Sequence, residues 1–229
     1  MNRHLIIFAK APVPGSVKTR LHDRYTPQQA AAFCKAFIVD VLSNGAKVPC
    51  ERREIFYAPK DGEKAIRGLA GMGWELQPQG EGDLGARMAG AFNMSFAEGA
   101  DKTVLVGADS PSLPPTIVSE AFCRLMTHDL VMGPSMDGGY YLIGMSRPYP
   151  EIFHKVAWST DRVLRQTLKR IGSIDASLSM LPPWYDVDTP EELDFLAAHM
   201  KAISLSGGNP ESPETLRMLE KIEKAGKGG

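Results

Sequence analysis

The segment that most restricts the fold is Lys102–Gly107, Lys-Thr-Val-Leu-Val-Gly, the clearest buried strand in the chain. It runs straight into Ala108-Asp109-Ser110-Pro111, so the strand ends in a turn that carries a carboxylate. Residues 5–9 form a similar apolar run that stops at Lys10 and a Pro/Gly-rich loop. Residues 54–58, 74–77, 130–133 and Tyr140–Met145 read as further strands.

Helices fall between them. Thr26-Pro27-Gln28-Gln29 is a capping box with proline at the first helical position, and the helix it opens runs to about residue 43. Helical segments are also predicted from the Gly-rich loop at 80–85 to residue 96, from Pro114-Pro115 to residue 127, and over 159–171. Thr189-Pro190-Glu191-Glu192 is a second capping box, opening a helix to about residue 203. Strands alternating with helices predict an α/β chain with a mostly parallel sheet covered on both faces. Such sheets bind ligands outside the carboxyl ends of their strands.

The 229 residues suffice for a substantial core. A formal net charge of −1 gives no bulk attraction to nucleic acid or an anionic membrane. A phosphate site must therefore be a local basic cluster. Cys34, Cys50 and Cys123 show no paired spacing, and Cys34 and Cys123 are expected as small buried hydrophobes inside helices. The apolar run at the start is too short for a signal peptide or a transmembrane segment, so a cytoplasmic location is expected. Residues 1–203 are read as one domain and 204–229 as a polar extension. In that extension Leu216, Leu219 and Ile222 dock a short final helix, and Lys227-Gly228-Gly229 is expected to fray.

Four strand-end segments carry chemistry. The first loop places Lys10, Lys18 and Arg20 within one turn-rich stretch, with Gly15 to turn backbone N–H groups inward and Thr19 to add a hydroxyl. That set suits a di- or triphosphate, and a solvated basic loop is the plainer alternative. Asp109, just past the buried strand, is placed to anchor Mg²⁺ beside phosphate oxygens; an Asx-turn is the alternative. Asp137-Gly138-Gly139 lets a ligand ring approach backbone beside a carboxylate, or is simply a hairpin turn. Asp186 and Asp188 alternate, so in an extended chain they share one side and can complete a metal site opposite Asp109; first-turn acidity is the alternative. The loop through Gly82, Leu84, Gly85 and Arg87 could read a nucleobase edge. Trp158-Ser159-Thr160-Asp161 reads as a helix N-terminus, with Ser159 or Thr160 capping; Trp158 is read as a core residue, with lining of the acceptor pocket as the alternative. The five histidines show no metal-ligand spacing.

The run Phe8-Ala9-Lys10-Ala11-Pro12-Val13-Pro14-Gly15-Ser16-Val17-Lys18-Thr19-Arg20-Leu21 resembles the opening of a bacterial nucleotide-diphospho-sugar transferase family. Its members are often named glycosyltransferases, some associated with radical-SAM, selenodomain or arsenosugar gene sets. Gly107-Ala108-Asp109-Ser110-Pro111, Asp137-Gly138-Gly139-Tyr140-Tyr141 and Asp186-Val187-Asp188-Thr189-Pro190-Glu191 match as well, in order. The resemblance covers about residues 3–200 and extends to the molybdenum-cofactor and phospholactate nucleotidyltransferases. It implies a GT-A fold, a Rossmann-like three-layer α/β/α domain, with Mg²⁺ or Mn²⁺. It further implies that Lys18 and Arg20 contact phosphates, Asp109 and Asp188 ligate the metal, and Asp137 with Gly139 faces the reacting group. An Asp-x-Asp at the middle strand is absent, since Asp109 is followed by Ser110 and Pro111.

Two chemistries follow. One is glycosyl transfer from a nucleotide-diphospho-sugar to a small-molecule acceptor. The other is nucleotidyl transfer from an NTP to a phosphorylated acceptor, with release of pyrophosphate. A nucleotide-binding module without turnover is the third reading, and it leaves Asp109, Asp137 and Asp188 together unexplained.

Overall fold

The computed structural model describes residues 1–226, so the fraying expected of residues 227–229 lies outside the described residues. Seven strands form one sheet: β1 (Arg3–Lys10), β2 (Arg52–Ala58), β3 (Glu75–Pro78), β4 (Lys102–Gly107), β5 (Leu130–Pro134), β6 (Tyr140–Met145) and β7 (Leu178–Met180). Their order is β3-β2-β1-β4-β6-β5-β7. β6 alone runs antiparallel to its neighbours β4 and β5; every other pairing is parallel. Among the described residues the helices are α1 (Pro27–Ala46), α2 (Glu63–Arg67), α3 (Leu84–Ala97), α4 (Pro115–Arg124), α5 (Val163–Ile171), α6 (Pro190–Leu205) and α7 (Pro213–Gly226).

The alternation of β1 shows why the sheet needs two covers. Leu5, Ile7 and Ala9 pack with Ile38 and Val41 of α1 and Ala121 and Phe122 of α4. Ile6 and Phe8, pointing the other way, pack with Met88 and Phe92 of α3 and Ile171 of α5. A strand with apolar residues on both faces is stable only between two helical layers, so the sheet is the middle of an α/β/α sandwich. Ile7 sits beside Ile55 of β2 and Val106 of β4, which puts the carboxyl ends of β1 and β4 level at one edge. A third cluster lies outside α1, where Phe33 and Phe37 meet Leu193, Leu196 and Met200 of α6 and Leu219 of α7.

Both predicted capping boxes are present, at Thr26 with Gln29 and at Thr189 with Glu192. Several boundaries differ. β2 starts at Arg52 and β3 is shifted by one residue, while β7 is a strand too short to carry a pattern. α4 ends at Arg124 rather than 127. α5 begins at Val163, because Ser159 lies in the left-handed region (φ +61°) and residues 159–162 form turns. Cys34 is buried, but Cys123 is exposed. Its neighbours Ala121 and Phe122 occupy the inward face of α4, which leaves Cys123 outside. No described helix is long and apolar enough to cross a membrane.

Candidate active site

The level ends of β1 and β4 open into a cleft of about 960 Å³. Its floor is set by β4. The Ala108 N–H donates to the Phe8 carbonyl at 3.0 Å and the Val187 N–H to the Asp109 carbonyl at 2.9 Å. The second bond straps the extended segment 186–188 across the end of β4. Val187 is buried outward, in the cluster behind α1, so Asp186 and Asp188 both face the cleft, as their alternation predicts.

Of the three carboxylates there, one is held by a hydroxyl and two share one ammonium. Asp186 accepts from the Ser110 hydroxyl. Burial, then the nearby Asp109 charge, push its carboxyl up to about 7. Asp109 and Asp188 both pair with the Lys18 ammonium, Asp188 at 2.9 Å, and the Val187 carbonyl accepts from the same nitrogen at 2.8 Å. The Lys18 side chain is 4 % exposed, against 56 % for Asp109 and 37 % for Asp188. Burial acts to lower the Lys18 pKa, but the Asp109 and Asp188 charges reverse that and hold it above its ordinary value. Asp188 is lowered despite its own burial, chiefly by Lys18. Among the described residues Asp109 accepts no backbone N–H and caps no helix: α4 starts after Pro114 without a side-chain cap, and Ser112 donates to Tyr185 instead.

Lys10, Thr19, Arg20, Gly82, Leu84 and Arg87 line the cleft as the sequence predicts. Lys18 does also, yet its three N–H donors are all spent inside the protein. Gly15, at φ +81°, turns the loop without lining the cleft. Gly85 stands behind the wall rather than in it. A Cβ there would meet Trp158 Cζ2 at 2.6 Å, so glycine lets the Trp158 ring lie on α3.

Asp137 sits in the tight β5–β6 connection, where the Ser135 N–H donates to the Gly139 carbonyl at 3.1 Å. It is thus both a hairpin residue and a cleft residue. Its Oδ1 accepts from the Ser135 hydroxyl and from the Gly139 N–H at 3.0 Å. Gly138 does not line the cleft. The Leu164 N–H donates to its carbonyl at 2.9 Å, and the Asp161 main chain packs where its Cβ would be.

Trp158 takes the alternative its sequence position offers, and residues 159–161 form an adjoining part of the wall that a helix reading of this stretch does not show. Trp158, Ser159, Thr160 and Asp161 all line the cleft. Trp158 also serves the core, packing edge-on to Tyr140 and tilted against Phe153. Gln79 was missed too. It lines the cleft while its Nε2 donates to the Phe56 carbonyl at 3.0 Å and to Ala9 at 3.4 Å. Nothing around a single glutamine announces such a role in sequence.

Among the described residues no three His, Cys, Asp or Glu side chains are grouped as a metal site. Two carboxylates, however, already gather around one cation, the Lys18 ammonium. Mg²⁺ and Mn²⁺ favour oxygen donors and fill their shells with phosphate and water, so Asp109 and Asp188 fit either ion.

Residues 41–160 match a family described as an uncharacterized protein conserved in bacteria, DUF2064. The chain belongs to the DUF2064 family. Among solved structures it is similar to a Desulfovibrio desulfuricans G20 protein provisionally named a nucleotide-diphospho-sugar transferase. The two are 30% identical over 98% of this chain and 96% of that one, with a TM-score of 0.88. The resemblance carried by the four motifs and the fold class drawn from it both hold. More distant structures share the fold. The 4-diphosphocytidyl-2C-methyl-D-erythritol synthase of Anaerococcus prevotii DSM 20548 is 10% identical over 87% of this DUF2064 chain and 96% of its own, with a TM-score of 0.61. A CMP-2-keto-3-deoxy-manno-octonic acid synthetase complexed with CTP is 12% identical over 88% and 99%, with a TM-score of 0.56. A comparison with curated proteins gives no match.

Proposed function

We propose that this DUF2064 protein transfers a glycosyl group from a nucleotide-diphospho-sugar to a small hydroxyl-bearing acceptor, with a divalent cation on Asp109 and Asp188. The observation that carries this reading is the distribution of charge around the cleft. The cations Lys10, Arg20 and Arg87 come from the β1 loop and α3. A second part of the lining, from the β5–β6 connection and residues 158–161, offers Asp137, Asp161, hydroxyls and the Trp158 and Tyr140 rings. A diphosphate suits the first wall. A neutral polyol suits the second, where carboxylates accept hydroxyl protons and rings pack on sugar faces, whereas a phosphorylated acceptor would meet like charge. The likeness to the D. desulfuricans protein supports the same donor class.

In this reading the acceptor oxygen bonds to the anomeric carbon as the bond from that carbon to the phosphate oxygen breaks. The nucleoside diphosphate leaves, and the acceptor's proton passes to Asp137. Asp137 Oδ1 is committed to Ser135 and Gly139, which fixes the carboxylate and orients its other oxygen. Lys10 and Arg20 hold the diphosphate. When bound, the divalent cation would supply charge neutralisation for the leaving group.

A second reading is nucleotidyl transfer from an NTP. The three cations of the donor wall favour it, because a departing pyrophosphate needs several. A thermal-shift panel of NTPs and nucleotide-sugars with Mn²⁺, followed by assay of nucleoside diphosphate release, separates the two. Stabilisation by a nucleotide-sugar, and its turnover with a polyol pool, is the expected result. Stabilisation by NTPs alone, with pyrophosphate release, would replace it by the second reading.

A further inference from the structure

The ion cluster at the cleft floor is complete before any ligand arrives. An ammonium has three N–H donors. Lys18 Nζ meets three acceptors: Asp109 Oδ1, Asp188 Oδ1 at 2.9 Å and the Val187 carbonyl at 2.8 Å. The Phe37 ring lies 5.1 Å away and closes the remaining side. No donor is left for a phosphate, although the residue lies in the loop whose other cations face the cleft. The two carboxylates, meanwhile, are as fully paired as one positive charge allows. A second cation taking both would share their oxygens with an ammonium of the same sign.

We propose that the Lys18 ammonium holds the cation position between Asp109 and Asp188 until a nucleoside diphosphate enters, so that divalent cation alone binds weakly and the two ligands bind together. This rests on the nucleotide-sugar reading above. Lys18 keeps its proton throughout; only its partners change, from carboxylate to phosphate oxygens. The exchange is mechanically open. Residues 13–16 of the loop are exposed, and beside Lys18 the loop is anchored in the core at Ala11, Val17 and Leu21. A lysine stem has enough rotatable bonds to redirect its head without moving those anchors. Coupling of this kind is reciprocal: whatever factor the diphosphate adds to metal affinity, the metal must add to diphosphate affinity.

The test reads metal occupancy rather than turnover. Free Mn²⁺ is followed by its electron paramagnetic resonance signal as protein is titrated, first with MnCl₂ alone and then with UDP, GDP, CDP or ADP. For the wild type we expect weak binding of Mn²⁺ alone, tightened about tenfold or more by one of the diphosphates. Lys18→Met should bind Mn²⁺ alone about tenfold more tightly than wild type and lose most of the coupling. Equal Mn²⁺ affinity in the two proteins would overturn the proposal. Because the variant leaves two carboxylates unpaired, which costs stability, the wild type gives an independent measurement. A proton–nitrogen correlation tuned to lysine ammonium groups should show a protected Lys18 signal, since buried, hydrogen-bonded ammonium protons exchange slowly. The signal should survive millimolar MgCl₂ in place and leave that position, by shift or loss, when Mg²⁺ and the diphosphate are added together. Its loss to Mg²⁺ alone would overturn the proposal. If no diphosphate binds under any condition, the donor reading fails, while the metal-only comparisons still decide whether Lys18 holds the site.

Discussion

At Gly138 the backbone runs at φ +90°, and a Cβ there would lie 2.5 Å from the Asp161 carbonyl oxygen. From sequence, two glycines after Asp137 suggest space for a ligand ring. The space is instead filled by the chain itself, and the approach of 138 to 161 clamps the hairpin wall to the 158–161 wall. Gly15 offers a control, since it has the same sign of φ (+81°) with nothing within 4 Å of its missing Cβ. Gly15→Ala should cost only the left-handed penalty, about 1 kcal/mol. Gly138→Ala adds a clash with main chain that cannot rotate away, and about 3 kcal/mol in all is expected. Calorimetry of both variants checks this, with Gly138→Ala melting several degrees below Gly15→Ala. Equal melting temperatures would mean that the two walls are not clamped.

At the scale of elements, α7 is held by an unusual cap. Asp40, buried within α1, accepts the Glu214 N–H at 2.9 Å, the Thr215 N–H at 2.8 Å and the Thr215 hydroxyl at 2.6 Å. The free N–H groups of one helix start are thus satisfied by the side chain of another helix. Asp40→Ala should cost about 2 kcal/mol by removing the cap and leaving a buried hydroxyl unpaired. Hydrogen exchange should rise over residues 213–224 and stay unchanged in β1 and β4; a uniform rise over the whole chain would contradict a local lock. Nothing near Asp40 in sequence announces this, because its partners are 174 and 175 residues away. The same distinction separates what was legible from what was not. The capping boxes at Thr26 and Thr189 and the apolar run of β4 are local signals, and they came through. The α5 start differs from its sequence signal because serine and threonine, which usually cap, here sit in a turn with Ser159 at positive φ. In the site, Asp109 and Asp137 are readable because strand ends are readable, and Asp188 because it alternates with Asp186 just ahead of a capping box. The pairing of Lys18 with Asp188 spans 170 residues and exists only once the sheet is assembled.

Across the whole molecule, the sheet is polar at the end opposite the cleft. His4 of β1, Glu54 of β2, Thr103 of β4 and Ser95 of α3 are buried together there. Ser95 Oγ lies 2.9 Å from His4 Nδ1 and 2.7 Å from Thr103 Oγ1, while Glu54 is 3.9 Å from His4 and 3.4 Å from Arg52. Among the described residues neither Glu54 oxygen has a hydrogen-bond partner. Burial pushes the Glu54 carboxyl up to about 7, against which the Arg52 charge pulls it down. A carboxyl raised in the folded state binds its proton more tightly there than in the unfolded chain. Stability from this group is therefore present at low pH and lost as pH climbs from about 4.5 towards 7. Burial lowers the His4 pKa, which gives the opposite slope below about 6.5, so the wild-type profile mixes the two. Comparison with Glu54→Gln isolates the carboxyl, because the amide does not titrate and His4 is common to both proteins. The variant should gain on the wild type by up to about 3 kcal/mol between pH 5 and pH 8, a relative rise in melting temperature of several degrees. Denaturant unfolding at half-unit steps of pH measures the difference directly. A constant offset between the two curves would show that Glu54 titrates as it does in water, and that the polar end of the sheet is open to solvent.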